Sequence, residues 1–237
     1  MGKIGILTDI HNNLAALETI LAYFQQESCQ EIFCCGDLIG IGPWPEETVA
    51  LLRDLPGFIA VAGNHDGYLT KGLRFPWPGG MADGEAAHHF WEHGLLSPES
   101  KAYLKSLPQS LLLEREGVAI CLCHYPQRGG GYGPLRQDRT EEQCRALFAE
   151  MPAADIYFYG HDHAPHQAGR YINPGSAGCP HSGRGETHCG VLTVWAGEAD
   201  YRQVLLPYDL LKVIGKIERL RYSDYAMIEK VFYGVSV

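Results

Sequence analysis

Ile32-Phe33-Cys34-Cys35-Gly36-Asp37 carries four apolar residues suited to a buried strand straight into a glycine and a carboxylate. In an open α/β sheet, functional groups collect just past the carboxyl ends of the strands, and Asp37 falls there. Gly36 lacks a Cβ, so the chain can turn sharply at that point. A lone aspartate at a strand end is usually a turn or cap residue, but four other strand-like runs also end in metal-ligand types. Ile4-Gly5-Ile6-Leu7 leads to Asp9 and His11, and Phe58-Ile59-Ala60-Val61 leads to Gly63-Asn64-His65-Asp66. Val118 to Leu122 leads to His124, and Ile156-Tyr157-Phe158-Tyr159 leads to His161 and His163. Asp37, with two carboxylate oxygens, is the natural bridge between two ions.

The 237 residues suffice for one domain with a sizeable core. We expect a single domain over 1–237, with a helical insertion at 67–110 and a C-terminal helical tail at 208–237. The net charge of −9 argues against general nucleic-acid or anionic-membrane binding. No stretch approaches the ~18 apolar residues of a membrane span. The N-terminus enters a strand at once, without room for a signal peptide, so the expectation is a cytoplasmic protein. The eight cysteines then read as small buried hydrophobes in a reducing compartment. Cys179, His181, His188 and Cys189 are zinc-ligand types, but their spacing matches no recognised zinc motif.

Asn12-Asn13 offers N-caps for a helix with the stripe Leu14, Leu17, Ile20, Leu21 and Phe24, which returns the chain to the Asp37 strand. Gly40-Ile41-Gly42-Pro43 forms a loop at the mouth, and Glu46 to Arg53 a short helix before the third strand. Three such units make the first half doubly wound in character. Helices are expected from about Glu85 to His93 and from Ser97-Pro98 to about Leu107. His89 and His93 are i,i+4 partners, read as solvated or core-edge histidines for want of a third ligand. A hairpin turns at Glu116-Gly117, and Thr140-x-x-Gln143 is a capping box. Arg128 to Gly133 reads as a mobile glycine-rich loop. Gly190 to Ala196 and Tyr201 to Leu206 read as an antiparallel pair. Leu210, Leu211, Ile214 and Ile217 mark a tail helix packed on the outside.

Asp9, His11, Asp37, Asn64, His124, His161 and His163 together offer oxygen and imidazole donors without thiolate. That set suits Mn²⁺, Fe²⁺ or Zn²⁺ better than Ca²⁺, with Mn²⁺ the first choice. It is too many for one tetrahedral ion and about right for two sharing a bridge. Two adjacent dications polarise a phosphoryl group, acidify a bridging water to hydroxide and clamp both ends of an in-line displacement.

In this order, Asp9-x-His11, Gly36-Asp37, Gly63-Asn64-His65-Asp66, His124 and Gly160-His161-Asp162-His163 resemble the calcineurin-like metallophosphoesterase family. The Gly40-Ile41-Gly42-Pro43 loop and the Asn173-Pro174-Gly175-Ser176 turn resemble its small prokaryotic phosphodiesterase branch. The resemblance implies an α/β fold with a two-sheet β-sandwich flanked by helices, in four αββα layers. It implies that Asp9, His11, Asp37 and His163 hold one metal, and Asp37, Asn64, His124 and His161 the other. His65 becomes the non-ligand histidine that steadies the transition state or protonates the leaving oxygen, so His65 and Asp37 are the candidate catalytic residues.

The protein-phosphatase pattern has a second aspartate three residues after the bridging one, then an arginine. Here those positions are Gly40 and Ile41. A phosphoprotein phosphatase or phosphomonoesterase is therefore the alternative, behind a phosphodiesterase or nucleotide pyrophosphate hydrolase acting on a small phosphoester or nucleotide. The partner of His65 is left open, with Asp66 a candidate, while Asp162 reads as a turn residue. Asn64 and Arg128 are the candidate substrate contacts. Arg128, with Arg136 and Arg139, either clamps a phosphate over the cleft or simply keeps the loop in water. A binding scaffold of the same fold, like the retromer subunit, loses ligands or the histidine; all are present here.

Overall fold

The computed structural model describes residues 1–78, 81–128, 131–132 and 139–235, with Arg128 and Gly131 described in backbone only. Alternation in β1 (Gly2–Leu7) sends Ile4 and Ile6 to one face and Leu7 to the other. β2 (Glu31–Cys34) and then β3 (Phe58–Ala60) add in parallel on one side of β1. β11 (Glu186–Trp195) pairs antiparallel on the other side, and β12 (Glu198–Pro207) completes the order β12-β11-β1-β2-β3. The second sheet is built from β4 (Ser110–Arg115), β5 (Val118–Cys123), β8 (Ile156–Phe158), β9 (His166–Ala168) and β10 (Tyr171–Asn173), in the order β4-β5-β8-β10-β9. β4 and β5 form the hairpin at Glu116-Gly117, both of positive φ as a tight two-residue turn requires.

The sheets face each other through one apolar layer. Ile4, Ile6, Phe33 and Leu192 of the first meet Ile120, Leu122, Phe158 and Ile172 of the second. The other face of the first sheet is covered by α1 (Leu14–Gln26), α2 (Pro45–Arg53) and α5 (Pro98–Ser106). Asn13 caps α1, its side chain accepting from Ala16 N at 3.1 Å, and Phe24 is buried beneath it. Burying one such ring contributes roughly 1.5–3 kcal/mol. The second sheet's outer face packs Cys121, Cys123 and Tyr157 against α6 (Glu141–Leu147), which opens with the Thr140–Gln143 capping box. The result is two mixed five-stranded sheets between helices, the four-layer αββα arrangement.

Several details differ from the expectations. Gly63-Asn64-His65-Asp66 opens a helix, α3 (Asn64–Lys71), because the Asp66 carboxylate accepts from Gly63 N at 2.8 Å. α4 (Asp83–Leu95) buries His88, His89 and Glu92 and leaves His93 half-buried, so of the solvated and core-edge readings of His89 and His93 the solvated one falls away. β11 and β12 are each longer than read, at 10 residues. α7 (Leu210–Leu220) buries Val213, Ile214 and Ile217 but leaves Leu211 82% exposed. A further helix, α8 (Tyr225–Phe232), folds back with Tyr233 against Ile41, Trp44 and Cys179. β6 (Gln127–Arg128) pairs with β7 (Gly131–Tyr132) inside the stretch read as a mobile loop; Gly129, Gly130, Gly133 and Arg136 lie outside the described residues. All eight cysteines are free. Cys179 and Cys189 sit in different apolar clusters, and among the described residues no group of close donors contains them. Among the described residues no helix is long and apolar enough to cross a membrane.

Candidate metal centre

The carboxyl ends of β1, β2, β3, β5 and β8 converge, and the segments beyond them are tied together backbone to backbone. Asp9 N donates to Gly36 O at 2.9 Å, His11 N to Asp37 O at 3.0 Å and Asn12 N to Leu38 O at 3.1 Å. Gly178 N donates to Asp9 O at 2.8 Å, and Gly160 N to His124 O at 2.8 Å. These ties impose unusual backbone on the very residues that matter. Asp9, His11, Asp37, His161 and His163 all have positive φ, at 53°, 48°, 53°, 80° and 58°. Such non-glycine geometry costs of order 1 kcal/mol per residue and gathers at functional sites.

Within this frame the seven candidate ligands come together. His124 Nε2 lies 3.0 Å from Asn64 Oδ1 and 3.2 Å from Asp37 Oδ2. His11 Nε2 lies 3.0 Å from His163 Nε2, 3.7 Å from Asp9 Oδ1 and 3.9 Å from Asp37 Oδ2. His163 Nε2 is 3.5 Å from Asp9 Oδ1, and His161 joins Asp37 and His124 in a third group of close donors. Two atoms bound at about 2.1 Å to one ion lie about 3–4 Å apart, so the spacings fit shared cations. The tautomers agree: His124 Nδ1 donates to Cys35 O at 2.9 Å and His11 Nδ1 to Ile39 O at 3.1 Å. Each tie turns Nε2 toward the carboxylates, the arrangement metal-binding histidines adopt. Asp37 Oδ1 accepts from His65 N at 2.8 Å. His11 and His124 both approach its other oxygen, Oδ2, which would be available to a cation held by either group.

The charges follow from burial and proximity. Burial raises the Asp37 and Asp9 carboxyls, but the surrounding imidazoles outweigh it and hold both below the usual carboxylate range. Burial lowers His124, but the charge and hydrogen bond of Asp37 overcome it and raise the pKa to about 9. Burial, with His163, draws His11 down to about 4, and burial, with His124, does the same to His161. His65 is pushed well below its ordinary value by burial. His65 Nε2 stands 4.0 Å from Asp37 Oδ2, at the centre without belonging to its tightest contacts.

Asp66 is not the partner of His65. Its carboxylate accepts from Leu38 N, Ile39 N and Gly63 N at 3.0, 3.3 and 2.8 Å, pinning the Asp37 loop to α3. His65 Nδ1 is buried without a hydrogen-bond partner and lies against Gly40, where a Cβ would stand 2.4 Å from it. Sequence reasoning missed Glu92, fully buried on α4. Its Oε2 accepts from Asn12 Nδ2 at 2.7 Å and Gly40 N at 2.8 Å, and its Oε1 bonds His89 Nδ1 at 2.6 Å. Burial raises the Glu92 carboxyl, but the His89 hydrogen bond and charge outweigh it and hold it at about 2. Glu92 is also the third donor type missing beside His89 and His93. Its place in a helical run carries no signal of this role.

The centre opens into a cleft of about 720 Å³, lined by Asp37, Asn64, His65, His161 and His163, with Ile41 and Phe232 on its walls. Tyr132 lies 4.6 Å, ring to ring, from His161. Asp162 accepts from Asn173 Nδ2 and borders the cleft. The Arg128 side chain and Arg136 lie outside the described residues. Arg139 is 7% exposed and donates to the Tyr125 hydroxyl at 2.6 Å, so it does not serve to solvate the loop.

A family model described as a calcineurin-like phosphoesterase superfamily domain matches residues 2–196. An uncharacterized protein of Methanocaldococcus jannaschii is 28% identical, over 98% of both chains. A hypothetical protein from Pyrococcus horikoshii superposes with a TM-score of 0.83 at 18% identity over 100% of both chains. A metallophosphoesterase from Sphaerobacter thermophilus superposes at 0.74, with 24% identity over 99% of both.

Proposed function

The chain belongs to the calcineurin-like phosphoesterase superfamily, and is by that membership a metal-dependent phosphoester hydrolase; on this premise we propose that it uses two divalent ions to cleave phosphodiesters or nucleotide pyrophosphates in preference to phosphomonoesters. The observation carrying the dinuclear part is that Asp37 belongs to two separate groups of close donors, with His124 Nε2 at 3.2 Å and His11 Nε2 at 3.9 Å from its Oδ2. Asp9, His11, Asp37 and His163 would hold one ion, and Asp37, Asn64, His124 and His161 the other; Mn²⁺ suits these donors best, with Fe²⁺ or Zn²⁺ as alternatives. Bound there, the ions supply Lewis-acid activation of the phosphoryl group and of the attacking water.

The chain's own groups do the rest. Asp37 Oδ2 provides the shared anionic donor, and the His65 N–H fixes its other oxygen. His65, held against Gly40, lines the cleft with Nε2 4.0 Å from Asp37 Oδ2, and its role is to give a proton or hydrogen bond to the leaving oxygen. Ile41 occupies the place where the phosphatase pattern has an arginine, and it is buried, with Tyr222 Oη donating to its carbonyl at 2.8 Å. A monoester dianion is best held by guanidinium forks; a diester carries one charge less and asks for fewer cations. Arg128 is proposed as a substrate contact. The test is the kcat/KM ratio of a bis-aryl phosphate to the matching mono-aryl phosphate with Mn²⁺. A ratio clearly above one is expected, and a monoester preference lost in Arg128→Ala would overturn the reading.

A further inference from the structure

The cleft over the metal centre has two unlike sides. Asp37, Asn64, His65, His161 and His163 present polar groups, whereas Ile41, Ala164, Pro165, Pro180, Val231 and Phe232 present apolar ones. Val231 and Phe232 belong to α8, which lies beyond residue 196, where the match to the phosphoesterase domain ends. We propose that α8 is the specificity element of the site: Phe232 and Val231 hold the organic group of the substrate, so that esters carrying an aromatic ring are selected. The inference rests on the phosphoesterase reading and narrows its substrate class.

The helix is fastened so that this wall keeps its place. Tyr222 before α8 and Tyr233 after it are both buried in the apolar cluster that holds Ile41, Trp44 and Cys179. The Tyr222 hydroxyl donates to Ile41 O at 2.8 Å, which ties the approach to α8 to the loop following Asp37. Val235 N donates to Glu229 O at 3.0 Å and closes the far end of the helix. Gly234 lies against Gly183, where a Cβ would stand 2.8 Å from the Gly183 nitrogen and 3.3 Å from His181 O. His181 itself borders the cleft, so both ends of α8 are packed against residues of the site. Between these anchors Phe232 is half-buried and Val231 is 43% exposed, which leaves both side chains open to an occupant of the cleft.

Phe232 also stands close to the chemistry. Its ring centroid is 6.3 Å from that of His163, one of the candidate ligands. A phosphoryl group held beside His163 would carry its ester group within reach of the Phe232 ring. What the wall accepts follows from its composition. A hydroxyl-rich ester group, such as glycerol, would lose water against side chains that offer it no hydrogen bond. A methyl group would leave the wall uncovered. A flat ring covers it and adds ring-to-ring contact with Phe232. Charge does not do the selecting, since the described residues lining the cleft include no lysine or arginine.

The probes are the phenyl, cyclohexyl and methyl monoesters of methylphosphonic acid, singly charged anions with one ester group each. Their Ki values are measured against bis(p-nitrophenyl) phosphate hydrolysis by the Mn²⁺-loaded protein. The phenyl ester is expected to bind at least about tenfold more tightly than the methyl ester, the order set by covering an aromatic face with another ring. It should also bind more tightly than the cyclohexyl ester, which has similar bulk but no flat face. Phe232→Ala should remove most of the phenyl preference. Val231→Ser, at an exposed position outside the apolar cluster, should remove part of it, and it reads the wall even where Phe232→Ala does not fold. Equal Ki values for the phenyl and methyl esters, a cyclohexyl ester bound as tightly as the phenyl, or a preference unmoved in every folded variant would overturn the proposal. Absence of turnover of bis(p-nitrophenyl) phosphate would instead fail the phosphoesterase reading. Calorimetric titration with the same three phosphonates then still reads the wall: tighter binding of the phenyl ester supports it, and equal or no binding overturns it.

Discussion

Gly40→Ala asks whether His65 must stand where it does. Gly40 has φ +96°, which disfavours alanine by roughly 1–2 kcal/mol. The new Cβ would stand 2.4 Å from His65 Nδ1 and 2.8 Å from its Cγ, against ordinary contact beginning at 3.4 Å. Something must therefore yield by about 1 Å, the difference 3.4 − 2.4. Sideways escape is closed, because the ring is packed among His11, Tyr68 and His89 with centroids at 4.9, 5.5 and 5.0 Å. The imidazole tips into the cleft instead. A misplacement of that size costs about 10²-fold in rate. The assay is kcat on bis(p-nitrophenyl) phosphate at saturating Mn²⁺, beside elemental analysis and a thermal melt. The expected result is a rate about 10²-fold lower, two metals retained, and Tm lower by roughly 2–8 °C. An unchanged kcat would refute the argument, and metal lost in proportion to rate would place the damage in the ligands.

Asp37→Asn should lose both bound metal and activity, because an amide oxygen cannot supply the anionic bridge; full double occupancy by elemental analysis would count against a bridging Asp37. His65→Ala should keep both metals while turnover falls by about 10²-fold or more, as for a lost general acid, and equal rates for good and poor leaving groups would refute that role. Glu92 contributes to the acid sensitivity of the fold. Its carboxyl is held at about 2 against an ordinary value of 4.5, so its stabilisation is fully present above 4.5 and is lost as pH falls toward 2. The lowering corresponds to about 3 kcal/mol. Urea melts between pH 5.5 and 3 should therefore fall more steeply for the wild type than for Glu92→Gln, and equal slopes would show that Glu92 is not the titrating group.

The strand-end donors were legible because each follows an apolar run that can only be a buried strand, so five runs fix five neighbouring positions. What could not be read was which side chains serve the backbone. Asp66 stands beside His65 in the chain, yet its oxygens are taken by three N–H groups brought near by folding. Glu92 looks like any acidic helix residue, and only the docking of α4 delivers it to Asn12 and Gly40. Phe232 ends α8 and lines the cleft, and the periodicity of Leu210, Leu211, Ile214 and Ile217 does not reach it. Leu211 fits the stripe of α7 but faces outward, since one apolar position beyond the contact width adds nothing to the seam.

The division of donors between the sheets has a mechanical consequence. Asp9, His11, Asp37 and Asn64 follow strands of the first sheet, whereas His124, His161 and His163 follow strands of the second. Ions shared among them would staple one sheet to the other at the rim of the apolar layer. The staple between His11 and His163 spans 152 positions of the chain, so it closes a very long loop in the unfolded ensemble. Cross-links of that reach are worth about 5 kcal/mol in the chain-entropy view. Metal withdrawal would then loosen the join between the sheets as well as the chemistry, and the two layers would part along the edge where the cleft lies.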